Sequence, residues 1–288
     1  MASYVVAGAT GRVGSVVAHE LLSRGVSVTV IVRSEQARTE WRNRGASVAV
    51  GSLDDETFLT TVFAGTDAGF VLLPENVDPA NFHGARRQMA DAIAGAVSAS
   101  GIPHVVMLSA VAAVLPDGNG PAKDLHYLEN RLASTTARCT ILRSAYFQDN
   151  VGGMVGPARH AGIYPNFMPS DEFAFPMIAT TDVGRFAADA LLAPRARSET
   201  VLLAGPSYTP QEVAIRLGGA LGKPVHVVGI PPEQQVGALV GAGLPEQLAE
   251  AVVEMMAAFG KGLIRPTGDR TLMGMTTIDE TIGRVLNS

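Results

Sequence analysis

Three glycines near the N-terminus constrain the fold more than any other feature. Residues 5–34 read VVAGATGRVGSVVAHELLSRGVSVTVIVRS, with Gly8, Gly11 and Gly14 in a G-x-x-G-x-x-G spacing. A short β-rich run at 4–7 precedes them. A helix starts near Arg12 and covers 15–23, and a second apolar run at 27–32 reads as a buried strand. Strand, glycine turn, helix and strand in that order open a βαβ unit. In such a turn the first glycine permits the tight reversal, the second lets backbone N–H groups approach a pyrophosphate, and the third lets the helix pack close to the strand. The helix N-terminus adds a partial positive charge. The triplet alone is weak, and its strand–turn–helix context carries the dinucleotide reading against that of a glycine-rich turn with no ligand. Gly8, Thr10, Gly11, Arg12, Val13 and Gly14 form the predicted phosphate turn.

The alternation continues along the chain. Strands are predicted at 47–50, 68–73, 104–108 and 139–142, separated by helices at 54–63, 85–100 and 124–134. Strands separated by helix-length segments imply an α/β fold, a doubly wound parallel sheet with helices on both faces. After Arg143 the regularity breaks. Residues 151–170, rich in Gly, Pro and aromatics, read as loop; 173–178 reads as a strand and 183–192 as a helix opened by Thr181-Asp182. Thr209-Pro210-Gln211-Glu212 is a capping box with Pro at the first helical position. It starts a helix to about 221, followed by a strand at 224–230. Helices follow from Pro245, with Leu248, Val252, Met255, Met256 and Phe259 as its apolar positions, and over 277–286. Two regions result: 1–150, a dinucleotide-binding domain, and 151–288, a smaller α-rich lobe with some segments returning to the first.

Arg33 closes the second strand. An acidic residue there would bond the ribose 2′-OH of NAD, whereas an arginine suits a 2′-phosphate. NADP(H) is therefore the expected cofactor, with Arg12 in the turn available to join Arg33. A solvated surface charge is the plainer alternative for Arg33.

Composition bounds the partners. The net charge of −5 and the lack of a basic run leave no footprint for nucleic acid. A single cysteine, Cys139, excludes an internal disulfide and a cysteine-based zinc site, and suits a cytoplasmic setting. No signal peptide or membrane span is expected. Neither H-E-x-x-H, G-x-S-x-G nor a P-loop occurs, so no metal site, serine-hydrolase elbow or nucleotide-triphosphate site is expected.

The chain resembles the NmrA-like group of atypical short-chain dehydrogenases over nearly all its length. The residues that carry the resemblance are GATGRVG (8–14), GSLDD (51–55, with Ser52 where an Asp is usual), VLLP (71–74), HVVMLSA (104–110), LHYLENRL (125–132), TILRSAYFQDN (140–150) and PMIATTDVGRFAADAL (176–191). In layout it is similar to the triphenylmethane reductase and NADPH-quinone reductase types. The resemblance implies a Rossmann-like domain, a smaller C-terminal substrate lobe and a cleft between them. It places Ser52 and Leu53 beside the adenine, Leu73 and Pro74 at the fourth strand end, and Ser109 in the nicotinamide pocket. Tyr146, Phe147, Asn150, Met154, Tyr164 and Phe167 then surround an apolar, aromatic substrate wall, Tyr146 and Phe147 also reaching the cofactor. Such a wall suits a flat hydrophobic molecule, and inter-lobe core is its other reading.

The chain departs from ordinary short-chain dehydrogenases at the catalytic dyad: there is no Tyr-x-x-x-Lys. Tyr127 and Arg131, spaced i,i+4, are a near miss, but arginine stays charged and is a poor proton relay. The family pattern puts His126 at the position of the Lys and the Tyr position near Ala122, which makes Tyr127 a packing aromatic more readily than an acid. His126 is either a proton donor or a residue that binds cofactor ribose or a backbone group. Ser109 is either a pocket serine or a strand-end cap. The catalytic candidates are thus His126, Ser109 and Tyr127. The reading is an NADPH-dependent reductase that transfers a hydride to an aromatic, quinone or enone molecule, with a homodimer among the allowed assemblies. The alternatives are an NADP(H) sensor without turnover and a non-redox enzyme using the same cleft.

Overall fold

The computed structural model describes residues 2–75 and 77–287. In chain order the first half runs β1 (Ser3–Val6), α1 (Arg12–Ser23), β2 (Ser27–Val32), α2 (Glu35–Asn43), β3 (Ser47–Val50), α3 (Glu56–Phe63), β4 (Ala68–Val71), α4 (Phe82–Ser100), β5 (His104–Ala110), α5 (Ala122–Ala133) and β6 (Arg138–Ser144). The second half runs β7 (Tyr146–Phe147), α6 (Gly152–Ala161), β8 (Ile163–Asn166), β9 (Phe175–Ile178), α7 (Thr180–Leu192), β10 (Glu199–Ala204), β11 (Ser207–Tyr208), α8 (Pro210–Leu221), β12 (His226–Gly229), α9 (Pro232–Gly241), α10 (Glu246–Gly260), β13 (Arg270–Met273) and α11 (Ile278–Leu286). Short 3₁₀ turns lie at Val111–Val114 and Gln148–Val151.

Among the described residues, eight strands form a central sheet in the order β13-β10-β6-β5-β4-β1-β2-β3. Every pairing in it is parallel. Parallel strands covered on both faces read as apolar runs; β4 is buried throughout and β5 nearly so. On one face α1, α2 and α7 bury Val17, Leu21, Trp41 and Val183 against Val6 and Val30. On the other, α3, α4 and α5 bury Phe63, Ile93 and Leu128 against Val5, Val71 and Met107. The chain moves outward from β1 through β2 and β3, then returns to β1's other edge as β4. This reversal between β1 and β4 opens a crevice at the carboxyl ends of the strands, the topology of a Rossmann-like fold.

Several elements depart from the spacing-based expectations. Residues 151–170 are not loop: the 3₁₀ turn Gln148–Val151 runs into α6, and β8 follows. Gly152, Gly153 and Pro157 punctuate the sequence, but α6 buries Ala158 completely in a third core with α8 and α11, and packing overrides propensity. The strands β10 and β13 have no sequence counterpart above; both extend the main sheet beyond β6. Helices α2 and α9 were likewise not delimited. The other short strands form a three-stranded sheet β11-β9-β7 and the pair β12-β8.

Helix α10 docks on the start of α4 and on the segment between β5 and α5. Gln247 accepts from the Phe82 N–H at 3.0 Å and donates to the Ala80 carbonyl at 2.8 Å, and Glu254 accepts from the Gly120 N–H at 3.0 Å. Met255 and Phe259 pack on Ala112 and Ala113. No helix among the described residues is long and apolar enough to cross a membrane.

Candidate active site

The crevice begins at the glycine turn. Gly8 has φ +66°, in the left-handed region, and a Cβ there would fall 2.8 Å from Leu72. Its carbonyl accepts from the Gly11 N–H at 2.9 Å. At Gly14 a Cβ would lie 2.3 Å from the Gly8 carbonyl oxygen and 2.9 Å from that of Ala7, so only glycine lets α1 start against β1. At Gly11 a Cβ would meet only the Gly8 oxygen, at 3.3 Å, and the residue is exposed. Helix α1 has no side-chain cap and no acidic residue in its first turn; α4–α7, α9 and α10 also lack a side-chain cap. Thr10 is exposed at the tip of the turn and Val13 is buried beneath it.

Arg33 stands exposed immediately after β2 and makes no hydrogen bond, ion pair or ring contact among the described residues. Arg12 does not join it. Its guanidinium reaches the other way, to Asn150 Oδ1 at 3.4 Å, on the β6 side of the crevice. The expected arginine pair is therefore corrected to a lone Arg33. Beyond β3, Ser52 is half-buried, and Leu53 packs on the core under α3. Gly51 admits the Phe58 ring, which lies 2.6 Å from where its Cβ would be.

Strand β4 ends at Val71, so Leu73 and Pro74 leave it in an extended segment. Their carbonyls accept from Arg86 at 3.2 and 2.8 Å. Arg86, 1% exposed, also donates to the Pro121 carbonyl and to Asp124 Oδ2. His83 shares that carboxylate at 2.7 Å. Burial pulls the Arg86 guanidinium down from its ordinary value, with Asp124 opposing. This group ties the β4 exit to the start of α5. No motif signals it, because its members lie far apart in the chain.

The three catalytic candidates diverge. His126 Nδ1 lies 2.8 Å from the Ala113 carbonyl. A carbonyl only accepts, so Nδ1 carries a proton and Nε2 is the ring atom available to a ligand. Ser109 instead donates to Glu129 Oε1 at 2.5 Å. Glu129 is held by Arg143 at 3.1 and 2.6 Å, and Arg143 reaches the Thr267 carbonyl. The serine hydroxyl thus belongs to a β5–α5–β6 network. Tyr127 faces α4: its hydroxyl donates to Asp91 at 2.8 Å, Arg131 pairs with the same carboxylate, and Arg87 lies over its ring. The bond to Asp91 and burial raise the phenol above its usual range. Ala122, at the Tyr position of the family pattern, is buried.

The predicted aromatic wall is partly core. Tyr146, Met154 and Tyr164 pack on the third hydrophobic cluster, and Phe147 on the α1–α7 side of the sheet. Tyr146 meets Phe175 edge-on at 5.4 Å. Burial raises both Tyr146 and Tyr164 above their usual range. Phe167 is half-buried in the segment after β8. Gln148 and Asp149, between these residues, are structural pins. Gln148 donates to the Met177 and Thr276 carbonyls and accepts from Thr281, while Asp149 accepts twice from Thr180. Among the described residues no group of three or more His, Cys, Asp or Glu could hold a metal ion.

The NmrA-like family model matches residues 3–287. The chain belongs to the NmrA-like family. Within this NmrA-like setting, it is 29% identical over 257 residues to an NAD(P)H azoreductase of Xenophilus azovorans, covering 88% of this chain and 86% of that one. Two solved structures share the fold. One is the Citrobacter sp. triphenylmethane reductase complexed with NADP(H), with TM-score 0.82, 22% identity and coverage of 99% of this chain and 100% of the other. The other is the NADPH-dependent quinone oxidoreductase QOR2 of Escherichia coli complexed with NADPH, with TM-score 0.81, 22% identity and the same coverage.

Proposed function

We propose that this NmrA-like protein is an NADPH-dependent reductase of hydrophobic aromatic, quinone or enone molecules. The observation that carries the reading is the pairing of the close-packed Gly8–Gly14 turn with an Arg33, unpartnered among the described residues, at the end of the neighbouring strand. A pyrophosphate fits the exposed Gly11 and the first-turn amides of α1, and a 2′-phosphate fits Arg33. When bound, NADPH supplies the hydride; the protein supplies orientation and a proton. Leu72 packs on Gly8 in the core on the α1 side of the sheet, and Leu73 is buried in the core on the α3–α5 side. His126, its Nδ1–H fixed by Ala113, presents Nε2, which donates a proton to the acceptor's oxygen when the ring is doubly protonated and leaves the neutral Nδ1–H imidazole. Quinones accept hydride readily, so a Tyr–Lys dyad is dispensable for them.

The relatives' named activities, azo, triphenylmethane and quinone reduction, support an aromatic acceptor. A second reading, NADP(H) sensing without turnover, is favoured by the engagement of Ser109 with Glu129 and of Tyr127 with Asp91. NADPH oxidation measured across a panel of quinones, enones and azo dyes separates the two. Turnover with at least one acceptor is expected; tight NADPH binding with no turnover on the whole panel would establish the sensor.

A further inference from the structure

Beside the crevice lies a cavity of about 530 Å³ between the start of α1, one face of α6 and the end of α11. Arg12, Arg159 and Arg284 line it, and Val155, Val285 and Leu286 supply apolar wall. None of the three guanidiniums has a carboxylate within 4 Å among the described residues. Arg12 touches only Asn150, Arg284 only the Thr281 hydroxyl at 3.1 Å, and the Arg159 guanidinium makes no hydrogen bond or ion pair. By contrast Arg24, Arg86, Arg143, Arg216 and Arg270 each reach a carboxylate. The single acid in the wall, Asp149, already accepts from the Thr180 N–H and hydroxyl with its two oxygens. Lys223, donating to the Arg159 carbonyl, adds a further cation nearby. Glu280, one helical turn before Arg284, is held by Thr277 and also feels the Arg284 charge.

The three arginines are exposed and form no ion pair among the described residues; Asp149 in the wall and Glu280 near Arg284 offset part of their charge, and Val155, Val285 and Leu286 supply the apolar share of the wall. A small hydrophobic molecule with an anionic group satisfies both halves, the arginines engaging its oxygens and the aliphatic side chains its ring. We propose that this cavity binds an organic anion, an aromatic sulfonate, phosphate or carboxylate. Arg12 is also the first residue of the helix that faces the cofactor, and its partner Asn150 lies in the expected substrate wall. The anion is therefore read as the charged arm of the acceptor, which rests on the reductase reading; a separate anionic effector has the same chemistry.

The test starts from binding, which needs no turnover. Naphthalene-2-sulfonate is titrated calorimetrically into the NADPH-saturated protein and into the Arg159→Gln/Arg284→Gln variant. The double variant should weaken its binding at least tenfold and change NADPH affinity less than twofold, and neutral 2-naphthol should bind the native protein at least tenfold more weakly than the sulfonate. Unchanged sulfonate affinity in the variant, or displacement of the sulfonate one-for-one by NADPH, overturns the site. Kinetics with 1,2-naphthoquinone and its 4-sulfonate then identify the source. A tenfold fall in kcat/KM for the sulfonated quinone alone supports the acceptor arm; loss of sulfonate binding with both quinones unaffected supports the effector. If neither quinone is reduced, the reductase reading is what fails, and calorimetry still decides the site.

Discussion

Replacing Arg33 with alanine tests the cofactor assignment with little structural interference. The side chain is exposed and has no partner among the described residues, so no internal bond is lost and the melting temperature should move by less than about a degree. The effect on binding is large for one cofactor only. A charge-assisted hydrogen bond to a phosphate contributes about 1.5–3 kcal/mol, so losing one weakens NADPH binding roughly ten- to 150-fold. NADH, which has no 2′-phosphate, should bind the variant as it binds the native protein. The assay is fluorescence or calorimetric titration of both cofactors against both proteins, at one fixed ionic strength because exposed charges are screened. Native preference for NADPH should nearly vanish in the variant. Equal affinity for NADPH and NADH in the native protein, or a variant that keeps its preference, refutes the reasoning. Arg12, turned toward Asn150, is not positioned to compensate.

Further outcomes are expected. Gly11→Ala should fold normally, since its Cβ meets only one atom at 3.3 Å, yet weaken NADPH; Gly14→Ala should lower the melting temperature, because its Cβ would fall 2.3 Å from a backbone oxygen. Thermal scans with and without cofactor separate the two. Tyr127→Phe should keep most turnover, whereas His126→Ala should lose about 10²-fold or more in kcat if Nε2 handles the proton; a reversed order in steady-state kinetics refutes the assignment. His104, buried at the start of β5 with Nε2 on Thr140, is pulled down to about 4 from an ordinary value of 6.5, chiefly by burial, with Arg138 adding to the effect. The unfolded chain therefore binds the extra proton first. Stability from this group is complete above pH 6.5 and is lost as pH falls toward 4, by up to about 3 kcal/mol. Urea unfolding of His104→Gln should show a flatter profile across that window; an unchanged slope argues against it.

How much of this was legible beforehand differs by residue. The glycine turn and the capping box at Thr209 are local: positive φ, a missing Cβ or a side chain three residues from its amide require nothing beyond a short stretch of chain. The alternating apolar runs determined the parallel sheet for the same reason, since strands buried on both faces must be apolar. Direction and partnership were not local. The i,i+4 spacing of Tyr127 and Arg131 was plain, but only the packing of α5 on α4 supplied Asp91 between them. Ser109 sits at a strand end in either case, and Glu129 and Arg143 decide that its hydroxyl turns into a network. The strands β10 and β13 are no shorter than strands legible in the sequence; they lie beyond the regular βαβ alternation and are established by pairing with β6 and each other. Arg12, Arg159 and Arg284 are scattered over most of the chain and become one charged wall only when α1, α6 and α11 meet. The sequence by itself determined where the backbone must bend and what must be buried; the tertiary structure decided which polar groups face each other, because those contacts join residues whose separation along the chain carries no period.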